Sequence, residues 1–328
     1  MEYIKQTGLL VKPIAPENYV MGAYTKLTAV ARMPSMQWAD FLPTREKQHA
    51  FNFDTLSCTT FSALNQCEMQ GRWLLDNGYI NLAQLAWLQE NGYFDENGNL
   101  NFSDRFTAIM SGTTKWGNDF VTVWESIRKD GLLPERDFPF QASSFEDYQD
   151  RSKITSVMIG KAKEFLKIFD FKYEWVFFKE SETFTEAEQA KIKEALTHAP
   201  LHIGIAIPAT HAITLYSNEQ DVLDHYEPFT YKYKGSIHFG MKGYMNVKEN
   251  TKVYIYTKTL KKGDKGNLVK DLQESLNSIG YNCGIADGIW GKKTEATVRQ
   301  FQKENGLVAD GYFGPKSAVK VSEIQKKN

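Results

Sequence analysis

The sequence predicts an α+β fold followed by a small all-helical domain. Residues 58 to about 90 carry apolar side chains at helical spacing. After Pro200 the chain changes to short, β-rich apolar runs separated by turn residues. From residue 267 on, a helical pattern returns and contains an internal repeat. Helices that come first and strands that come later indicate an α+β domain, because the two kinds of element do not alternate along the chain.

Turn and cap residues set the bounds of the remaining predicted elements. Residues 1 to about 50 form an extended lead-in with strand-like character at residues 3–4 and 9–11. Further helices are expected at residues 120–129 and 185–197, with a turn at residues 95–99. The predicted strands are residues 201–207, 212–216, 222–223, 231–233, 244–247 and 253–256.

The chain length of 328 residues is that of about two domains. We expect an α+β domain over residues 1–256 and a helical domain over residues 267–328. Residues 257–266 are dense in Lys and Gly and are interpreted as a linker between them.

Composition excludes several classes of protein. A hydrophobic content of 42% with a net charge of −1 argues against disorder. The charge is uneven, with a net of +5 from Thr257 to Asn328 and −6 before it, which suits an anionic surface but is too weak to indicate nucleic-acid binding. Three cysteines cannot form a disulfide framework, and no metal or cofactor motif is present. We therefore expect a monomer without cofactor or metal.

Cellular location is inferred from the missing targeting signals. The apolar residues 8–11 are too few for the core of a signal peptide, and Lys12 interrupts them. No stretch approaches the roughly 18 apolar residues that a membrane span needs. The sequence therefore predicts synthesis in the cytoplasm without membrane insertion, and release by another protein if the chain acts outside the cell.

Cys58 carries the strongest chemical signal in the sequence. Turn and cap residues precede it, and the amphipathic stretch that follows predicts that Cys58 lies in the first turn of a helix. Unpaired backbone N–H groups and the helix dipole favour an anion there, and a thiol becomes a nucleophile only when its thiolate is stabilised. Cys67 falls nine residues later inside the same helix and is interpreted as structural.

A histidine and an acidic residue complete a possible catalytic set. His211 stands at the entrance of a predicted strand, where it would be held rigidly as a general base. Asp224 follows 13 residues later at the end of the next strand and could fix the imidazole tautomer. His225 adjoins Asp224 and is the rival base, whereas His198 and His202 are separated by Pro200 and share no helix face.

The region around these residues resembles papain-like cysteine peptidases. Residues 58–63 (CTTFSA) resemble the Cys-Trp-Ala-Phe-Ser-Ala signature of that family, and Glu68 falls where its helix carries a Glu. Three further segments are similar to segments of that family. Residues 117–140 resemble its Gly-rich segment and the helix after it, residues 200–206 the strand before the catalytic His, and residues 211–215 the strand that carries this His. The resemblance implies a papain-like domain, with a helical part followed by an antiparallel β part, and the roles of nucleophile, base and orienting group for Cys58, His211 and Asp224.

The sequence departs from the family pattern at three positions. Thr59 replaces the aromatic residue after the nucleophile, and Asp224 stands where Asn is usual. The oxyanion-hole Gln is expected six residues before the Cys, where this chain has Asn52, while Gln48 lies ten residues before. Either Asn52 or Gln48 could donate the amide N–H.

The C-terminal repeat resembles a second family. Asp287-Gly288 and Asp310-Gly311 each start a tight turn, followed by an aromatic-Gly step and a cap for the next helix. With the Leu-striped helix before them, these turns resemble the three-helix peptidoglycan-binding domain of cell-wall hydrolases. The resemblance implies bacterial peptidoglycan as partner. The candidate contact residues are Asp287, Trp290, Asp310 and Tyr312, although packing in the core is the alternative role of the aromatic ones.

Together the two resemblances predict a cell-wall hydrolase of the phage endolysin kind. Such an enzyme would cleave a peptide bond of the stem peptide or cross-bridge at the cell wall after release. Two alternatives remain open at this stage. One is a papain-like protease that acts on proteins while anchored to the wall, and the other is an inactive wall-binding or phage structural protein.

Overall fold

The computed structural model describes residues 8–10, 32–50, 52–178, 185–205, 211–248 and 258–325. The chain divides into two compact units. The first unit comprises the chain up to residue 74 together with residues 88–248, and the second comprises residues 75–87 together with the chain from residue 249 on. Residues 75–87, which the sequence analysis assigned to the first domain, thus group with the second unit.

Seven helices and six strands are described between residues 58 and 247. The helices are α1 (Cys58–Asp76), α2 (Leu82–Glu90), α3 (Asp104–Met110), α4 (Phe120–Asp130), α5 (Phe145–Tyr148), α6 (Ser156–Ile168) and α7 (Glu186–Leu196). The strands are β1 (Phe169–Phe178), β2 (Leu201–Ile205), β3 (His211–Leu215), β4 (Asp221–Leu223), β5 (Thr230–Lys232) and β6 (Ile237–Val247). The prediction of an α+β fold is confirmed.

Helix ends follow the local sequence chemistry. The Asp119 side chain caps α4 by accepting from the Thr122 amide at 3.0 Å, and Gly131 ends the helix with a positive φ. Thr185 and Glu188 form a capping box at the start of α7. These caps explain why both helices begin and end within one residue of their predicted bounds.

The strands form one antiparallel sheet in the order β1-β6-β2-β3-β4-β5. His211, the first residue of β3, pairs with Ile205, and Ala212 pairs with Gly204. Helix α1 packs against this part of the sheet, since the Ser62 and Thr214 hydroxyls lie 3.1 Å apart. The start of α1 therefore comes close to the start of β3.

A buried ion pair joins β1 to β6. Lys242 Nζ lies 2.9 Å from Glu174 Oε1, and both side chains are fully buried. Tyr244 donates its hydroxyl to the same carboxylate at 3.0 Å. Burial lowers the pKa of Lys242, and the contact with Glu174 opposes that shift. An ion pair removed from water in this way makes the loss of either partner costly.

The second unit contains three C-terminal helices, α8 (Asn267–Ser278), α9 (Lys292–Glu304) and α10 (Pro315–Gln325). Leu272, Trp290, Phe301 and Phe313 lie in their common core. Leu260 is also buried there and exchanges backbone hydrogen bonds with Phe313 at 3.1 and 2.8 Å. Leu260, within the segment that the sequence analysis assigned as a linker, is thus part of this helical core.

The structure adds elements that the sequence analysis did not name. Strand β1 and helices α3 and α6 belong to them, and β6 begins seven residues before its predicted start. The predicted strands at residues 3–4 and 253–256 lie outside the described residues. Among the helices that the structure describes, none is long and apolar enough to cross a membrane.

Candidate active site

Cys58 is the first residue of α1 and is fully buried. Burial raises the pKa of its thiol above the ordinary value, and the nearby Asp54 and Asp224 carboxylates act in the same direction. Hydrogen bonds from the backbone amides of Ala212 and Thr59 oppose that rise. The sulfur therefore lies at the helix start, as predicted, and next to the backbone of β3.

His211 and Asp224 are in direct contact. His211 Nε2 lies 2.6 Å from Asp224 Oδ1. The other ring nitrogen, Nδ1, is buried and makes no hydrogen bond to any residue that the structure describes. The backbone amide of Ala212 donates a hydrogen bond to the Cys58 sulfur. His211 directly precedes Ala212 in the chain, so its backbone lies next to the thiol. The arrangement gives the imidazole one nitrogen fixed by a carboxylate and one that is hydrogen-bonded to no described residue.

Asp224 is held as a carboxylate by several donors. Oδ1 also accepts from the His225 amide at 2.7 Å, and Oδ2 accepts from the Tyr231 hydroxyl at 2.8 Å. Burial raises the pKa of Asp224, but the hydrogen bond and charge of His211, with the further donors, outweigh it and lower the pKa to about 2. Asp224 is therefore ionised at neutral pH.

The rival histidine has a different environment. The His225 ring is buried and packs on Phe61, with ring centroids 4.9 Å apart. Burial lowers the pKa of His225 to about 3. Only its backbone amide is bonded to Asp224, so the structure pairs the carboxylate with the imidazole of His211 rather than with that of His225.

Gln48 and Asn52, the two oxyanion-hole candidates, lie on one hairpin but in different surroundings. The Thr55 amide donates to the Gln48 carbonyl at 3.1 Å, which brings Gln48 back towards the start of α1. The Gln48 side chain is buried and donates to Asp54 Oδ1 at 2.9 Å. Asn52 is exposed, and its amide donates to the Ser143 carbonyl at 2.9 Å. Gln48 is therefore the buried one of the two, and it is bonded to Asp54, whose carboxylate acts on the Cys58 thiol.

Two residues of this site were missed by sequence reasoning. Tyr226 packs against the His211 ring, with centroids 5.4 Å apart, and donates its hydroxyl to Asp54 Oδ2. Asp54 Oδ1 accepts from Gln48 and from the Leu56 amide. Asp54 thus accepts hydrogen bonds both from the Gln48 side chain and from Tyr226, whose ring packs against His211. The position of Tyr226, two residues after Asp224, was the only sequence signal for it.

The candidate wall-binding residues of the repeat mostly serve its turns. Asp287 Oδ1 accepts from Gln273 Nε2 at 3.0 Å and from the Ile289 amide at 2.9 Å. In the second turn, Asp310 Oδ1 accepts from Gln302 Nε2 and from the Tyr312 amide, both at 2.9 Å. The two aspartates therefore have the same structural role. The two glutamines were not predicted, and each lies on the helix that precedes its turn.

The two aromatic candidates of the repeat have opposite exposures. Trp290 is 2% exposed and lies in the core, so the prediction that it contacts peptidoglycan is corrected: its ring fills the centre of the unit. Tyr312 is 50% exposed and remains a candidate contact. Ile289, which occupies the equivalent position of the first turn, is 48% exposed.

Among the described residues, no group of three or more His, Cys, Asp or Glu side chains has the geometry of a metal site.

Comparison with known proteins identifies the C-terminal part. Residues 265–328 match the family described as "Putative peptidoglycan binding domain". The C-terminal segment is a peptidoglycan-binding domain. The prediction of a peptidoglycan-binding domain at the C-terminal end of the sequence is thereby confirmed.

Three solved structures show local similarity to the chain. The endolysin of Burkholderia phage AP3 is 43% identical over 20% of this chain and 25% of its own length, with a TM-score of 0.19. The SleB N-terminal domain is 30% identical over 21% of this chain and 96% of its own, with a TM-score of 0.21. A peptidoglycan-binding protein from Clostridioides difficile is 26% identical over 33% of this chain and 73% of its own, with a TM-score of 0.22. The chain thus spans only a quarter of the phage endolysin.

Proposed function

We propose that the protein is a cell-wall hydrolase that cleaves a peptide bond of peptidoglycan with Cys58, His211 and Asp224. The observation that carries the proposal is the contact of 2.6 Å between His211 Nε2 and Asp224 Oδ1. The other ring nitrogen, Nδ1, is hydrogen-bonded to no described residue, and the amide of the next residue, Ala212, donates to the Cys58 sulfur. A thiol, an imidazole and a carboxylate in this order are the groups that nucleophilic catalysis needs.

The proposed reaction has two steps. His211 Nδ1 takes the proton of Cys58, and the thiolate attacks the carbonyl carbon of the scissile peptide bond. The imidazolium then gives its proton to the leaving amine, and a thioester remains on Cys58. In the second step His211 removes a proton from water, whose oxygen attacks the thioester carbonyl. The bond to the Cys58 sulfur breaks, the new carboxyl group is released, and the leaving thiolate takes the proton back from His211. Asp224 stays ionised throughout and stabilises the imidazolium.

Gln48 is the proposed side-chain donor to the oxyanion of the tetrahedral intermediate, together with the Cys58 amide. The support is its burial on the hairpin before α1 and its link to Asp54. Loss of one such donor typically costs about 3 kcal/mol of transition-state stabilisation. The Gln48 amide would have to exchange its bond to Asp54 for the oxyanion during the reaction.

The peptidoglycan-binding domain gives the reaction its location. A domain that holds the enzyme on the wall raises the local concentration of substrate without adding a contact in the active site. Peptide bonds of the stem peptide or cross-bridge are then the nearest substrates. Tyr312 and Ile289 are the proposed apolar contacts of this domain, because both are about half exposed at equivalent turns.

One observation favours an inactive wall-binding protein instead. Cys58 is fully buried and its pKa is raised, whereas a reactive cysteine is normally accessible with a lowered pKa. In that case the first unit would serve as a scaffold, and the chain would bind the wall without cleaving it.

The test is release of amino groups from purified sacculi by wild type, Cys58→Ala and, as matched control, Cys67→Ala. Cys67 lies on the same helix and is equally buried, so its replacement perturbs the fold to a similar degree without removing the proposed nucleophile. We expect new amino groups with wild type and Cys67→Ala and only background with Cys58→Ala. Release from casein but not from sacculi would indicate the wall-anchored protease, and release from neither would indicate the binding protein.

A further inference from the structure

The two Asp-Gly turns of the peptidoglycan-binding domain, the first turn (residues 285–289) and the second turn (residues 308–312), share one framework of hydrogen bonds. In each turn the glycine amide donates at 2.9 Å to the Oε1 atom of a buried glutamine, Gln273 or Gln302. The Nε2 atom of the same glutamine donates to the carbonyl of the last turn residue, at 3.1 Å in the first turn and 2.8 Å in the second. The two turns thus present equivalent positions of the sequence in equivalent surroundings.

Both turns have an exposed apolar side chain at each end. Ile285 and Ile289 of the first turn are 87% and 48% exposed, and Val308 and Tyr312 of the second are 79% and 50% exposed. Among the described residues of this domain, the only other large apolar side chain with comparable exposure is Val319, at 48%. Single exposed apolar side chains are ordinary, but the same pair at two equivalent turns indicates a surface that a partner covers.

A basic side chain lies on each turn. Lys293 Nζ is 3.0 Å from where a Cβ on Gly284, the residue before the first turn, would lie. In the second turn Arg299 Nη1 donates to the Ala309 carbonyl at 2.7 Å, while Nη2 lies 3.2 Å from Glu295 Oε1. Because the C-terminal segment also has a net positive charge, each turn suits an anionic ligand that carries apolar groups.

Helix α9 sets the spacing of the two turns. Gln273, which bonds the first turn, donates to Thr294 Oγ1 at 3.0 Å near the start of this helix. Gln302, which bonds the second turn, lies near its end. Thr294 and Gln302 are eight residues apart, so the two points of attachment lie about 12 Å apart along the helix. This distance suits a polymer that presents the same chemical groups more than once.

We propose that the two turns are two equivalent subsites, which bind two repeating units of one peptidoglycan strand at the same time. The proposal rests on the proposed function for the identity of the ligand, but not on hydrolysis. Each repeating unit offers the acetamido and lactyl methyl groups of its sugars to the apolar pair and the carboxylates of its stem peptide to the basic side chain. When one turn is occupied, the other meets its unit at a high effective concentration, so the affinity rises from one unit to several.

The test measures stoichiometry and affinity by titration calorimetry. The parent protein is the full chain with Cys58→Ala, so that hydrolysis does not consume the ligand. One ligand is a single disaccharide-peptide unit of peptidoglycan, and the other is a soluble, uncross-linked strand of several such units. A single unit reports how many subsites exist, and the strand reports whether they act together.

Three variants of the parent protein separate the two turns. Ile285→Ser with Ile289→Ser removes the apolar pair of the first turn, and Val308→Ser with Tyr312→Ser removes that of the second. Val319→Ser is the matched control, because Val319 is equally exposed but lies on α10, outside both turns. All five side chains are exposed, so these replacements leave the core unchanged.

We expect the parent protein and the Val319→Ser control to bind two single units, and each turn variant to bind one. For the strand we expect at least tenfold weaker affinity in either turn variant, because the loss of one subsite removes the gain in effective concentration. The control should bind the strand as the parent protein does.

A stoichiometry of one single unit in the parent protein overturns the proposal, and so does a strand that binds no more tightly than the single unit. A loss confined to one of the two turns, or an equal loss in Val319→Ser, also overturns it while leaving a wall-binding domain in place. Absence of binding to either ligand overturns it together with the proposed apolar contacts. Cleavage of sacculi by wild type is measured separately, so the two-subsite proposal and the proposed hydrolase fail independently.

Discussion

Tyr231 fixes the carboxylate that orients His211. Its hydroxyl donates to Asp224 Oδ2, while Oδ1 accepts from His211 and from the His225 amide. An asparagine in place of Asp224 could accept on only one oxygen. The choice of aspartate therefore fits an environment that offers donors to both oxygens, and it places a negative charge beside the imidazole.

Tyr231→Phe should weaken this arrangement without removing any member of the proposed catalytic set. A hydrogen bond to a charged group contributes about 1.5–3 kcal/mol, so we expect kcat/KM on peptidoglycan to fall about tenfold. The pKa of Asp224 should rise from about 2 towards its ordinary value. In the wild type, the ionised Asp224 stabilises the folded state at pH values above its unfolded pKa, and this stabilisation is lost as pH falls through the folded pKa. A higher folded pKa in the variant means that the loss occurs at a higher pH, so acid unfolding should also begin at a higher pH.

The control for this prediction is Tyr233→Phe, which removes a hydroxyl that donates to the Ser236 carbonyl at 3.0 Å. Equal losses of kcat/KM in both variants would show that Tyr231 only supports the fold. The pH of half unfolding, followed by circular dichroism, gives the second readout.

Sequence spacing alone does not distinguish between Gln48 and Asn52 as the candidate oxyanion-hole donor. Counting back from Cys58 favours Asn52, but a hairpin between residues 48 and 55 returns the chain, and Gln48 pairs with Thr55. Register within a hairpin depends on turn geometry, which the residue types of this segment do not specify. The pairing of His211 with Asp224 was predictable because both lie at strand ends that a short connection brings together.

Among the elements, helix α9 is bonded to the second turn of the repeat through one buried glutamine. Gln302 Nε2 faces three acceptors, Asp310 Oδ1, the Tyr312 carbonyl and Ser317 Oγ, at 2.9, 2.8 and 3.3 Å. Its Oε1 accepts from the Gly311 amide at 2.9 Å. Gln273 makes the equivalent bonds in the first turn, to Asp287, the Ile289 carbonyl, Thr294 and the Gly288 amide.

Gln302→Leu should destabilise the peptidoglycan-binding domain by about 1–3 kcal/mol, because it leaves the buried Gly311 amide without its acceptor. The free energy of unfolding from a urea titration of the full chain measures the effect. Gln300→Leu is the matched control, since Gln300 is exposed and bonds only Glu304, at 3.0 Å, among the contacts described. A loss below 0.5 kcal/mol in Gln302→Leu would contradict the role assigned to this side chain.

The contrast between Trp290 and Tyr312 shows what a repeat in the sequence can and cannot predict. The repeat correctly predicts two equivalent turns. It does not show which of the two neighbouring apolar positions points inward, because turn residues lack the regular period of a helix or strand. In the structure Trp290 and Phe313 face the core, and Ile289 and Tyr312 face outward.

Across the first unit as a whole, stability should depend on four carboxyl groups, of which Glu68 and Asp104 are buried and Glu46 and Glu135 are partly exposed. Burial raises the pKa of all four. Repulsion from Glu46 raises the pKa of the other three further, whereas hydrogen bonds with Asp104 and Asn101 oppose the rise at Glu46. For Glu135 the pKa reaches about 8. Groups with a raised pKa hold protons in the folded state that they lose in the unfolded state, so stability falls as pH rises from the unfolded pKa through the folded one.

We therefore expect the melting temperature of the wild type to fall between about pH 4.5 and pH 8. Glu135→Gln should reduce that fall, because glutamine keeps an acceptor for the Phe140 amide, which donates to Glu135 Oε1 at 2.8 Å, but cannot ionise. Differential scanning calorimetry at pH 5 and pH 8 measures the change. Glu96→Gln, at an exposed position, serves as control, and an identical pH dependence in wild type and Glu135→Gln would contradict the expectation.

The order of helices and strands in this unit was predictable, but one central connection was not. Helix α6 ends at Ile168 and β1 begins at Phe169 without any turn residue between them. Sequence-based boundaries depend on Gly, Pro, Asn or Asp, so a helix that continues directly into a strand gives no signal. Capped elements such as α4 and α7 were located well for the same reason.

Helix α9 has a consequence for how the wall-binding domain could be shortened or duplicated. Its first turn supplies Thr294, which accepts from Gln273, and its last turn supplies Gln302, which organises the second Asp-Gly turn. The two halves of the repeat thus overlap in one helix instead of lying side by side. Only one half can keep α9 when the domain is divided, so the other half loses a bonding partner of its own turn. We therefore expect no folded module from a gene fragment that encodes the half without α9.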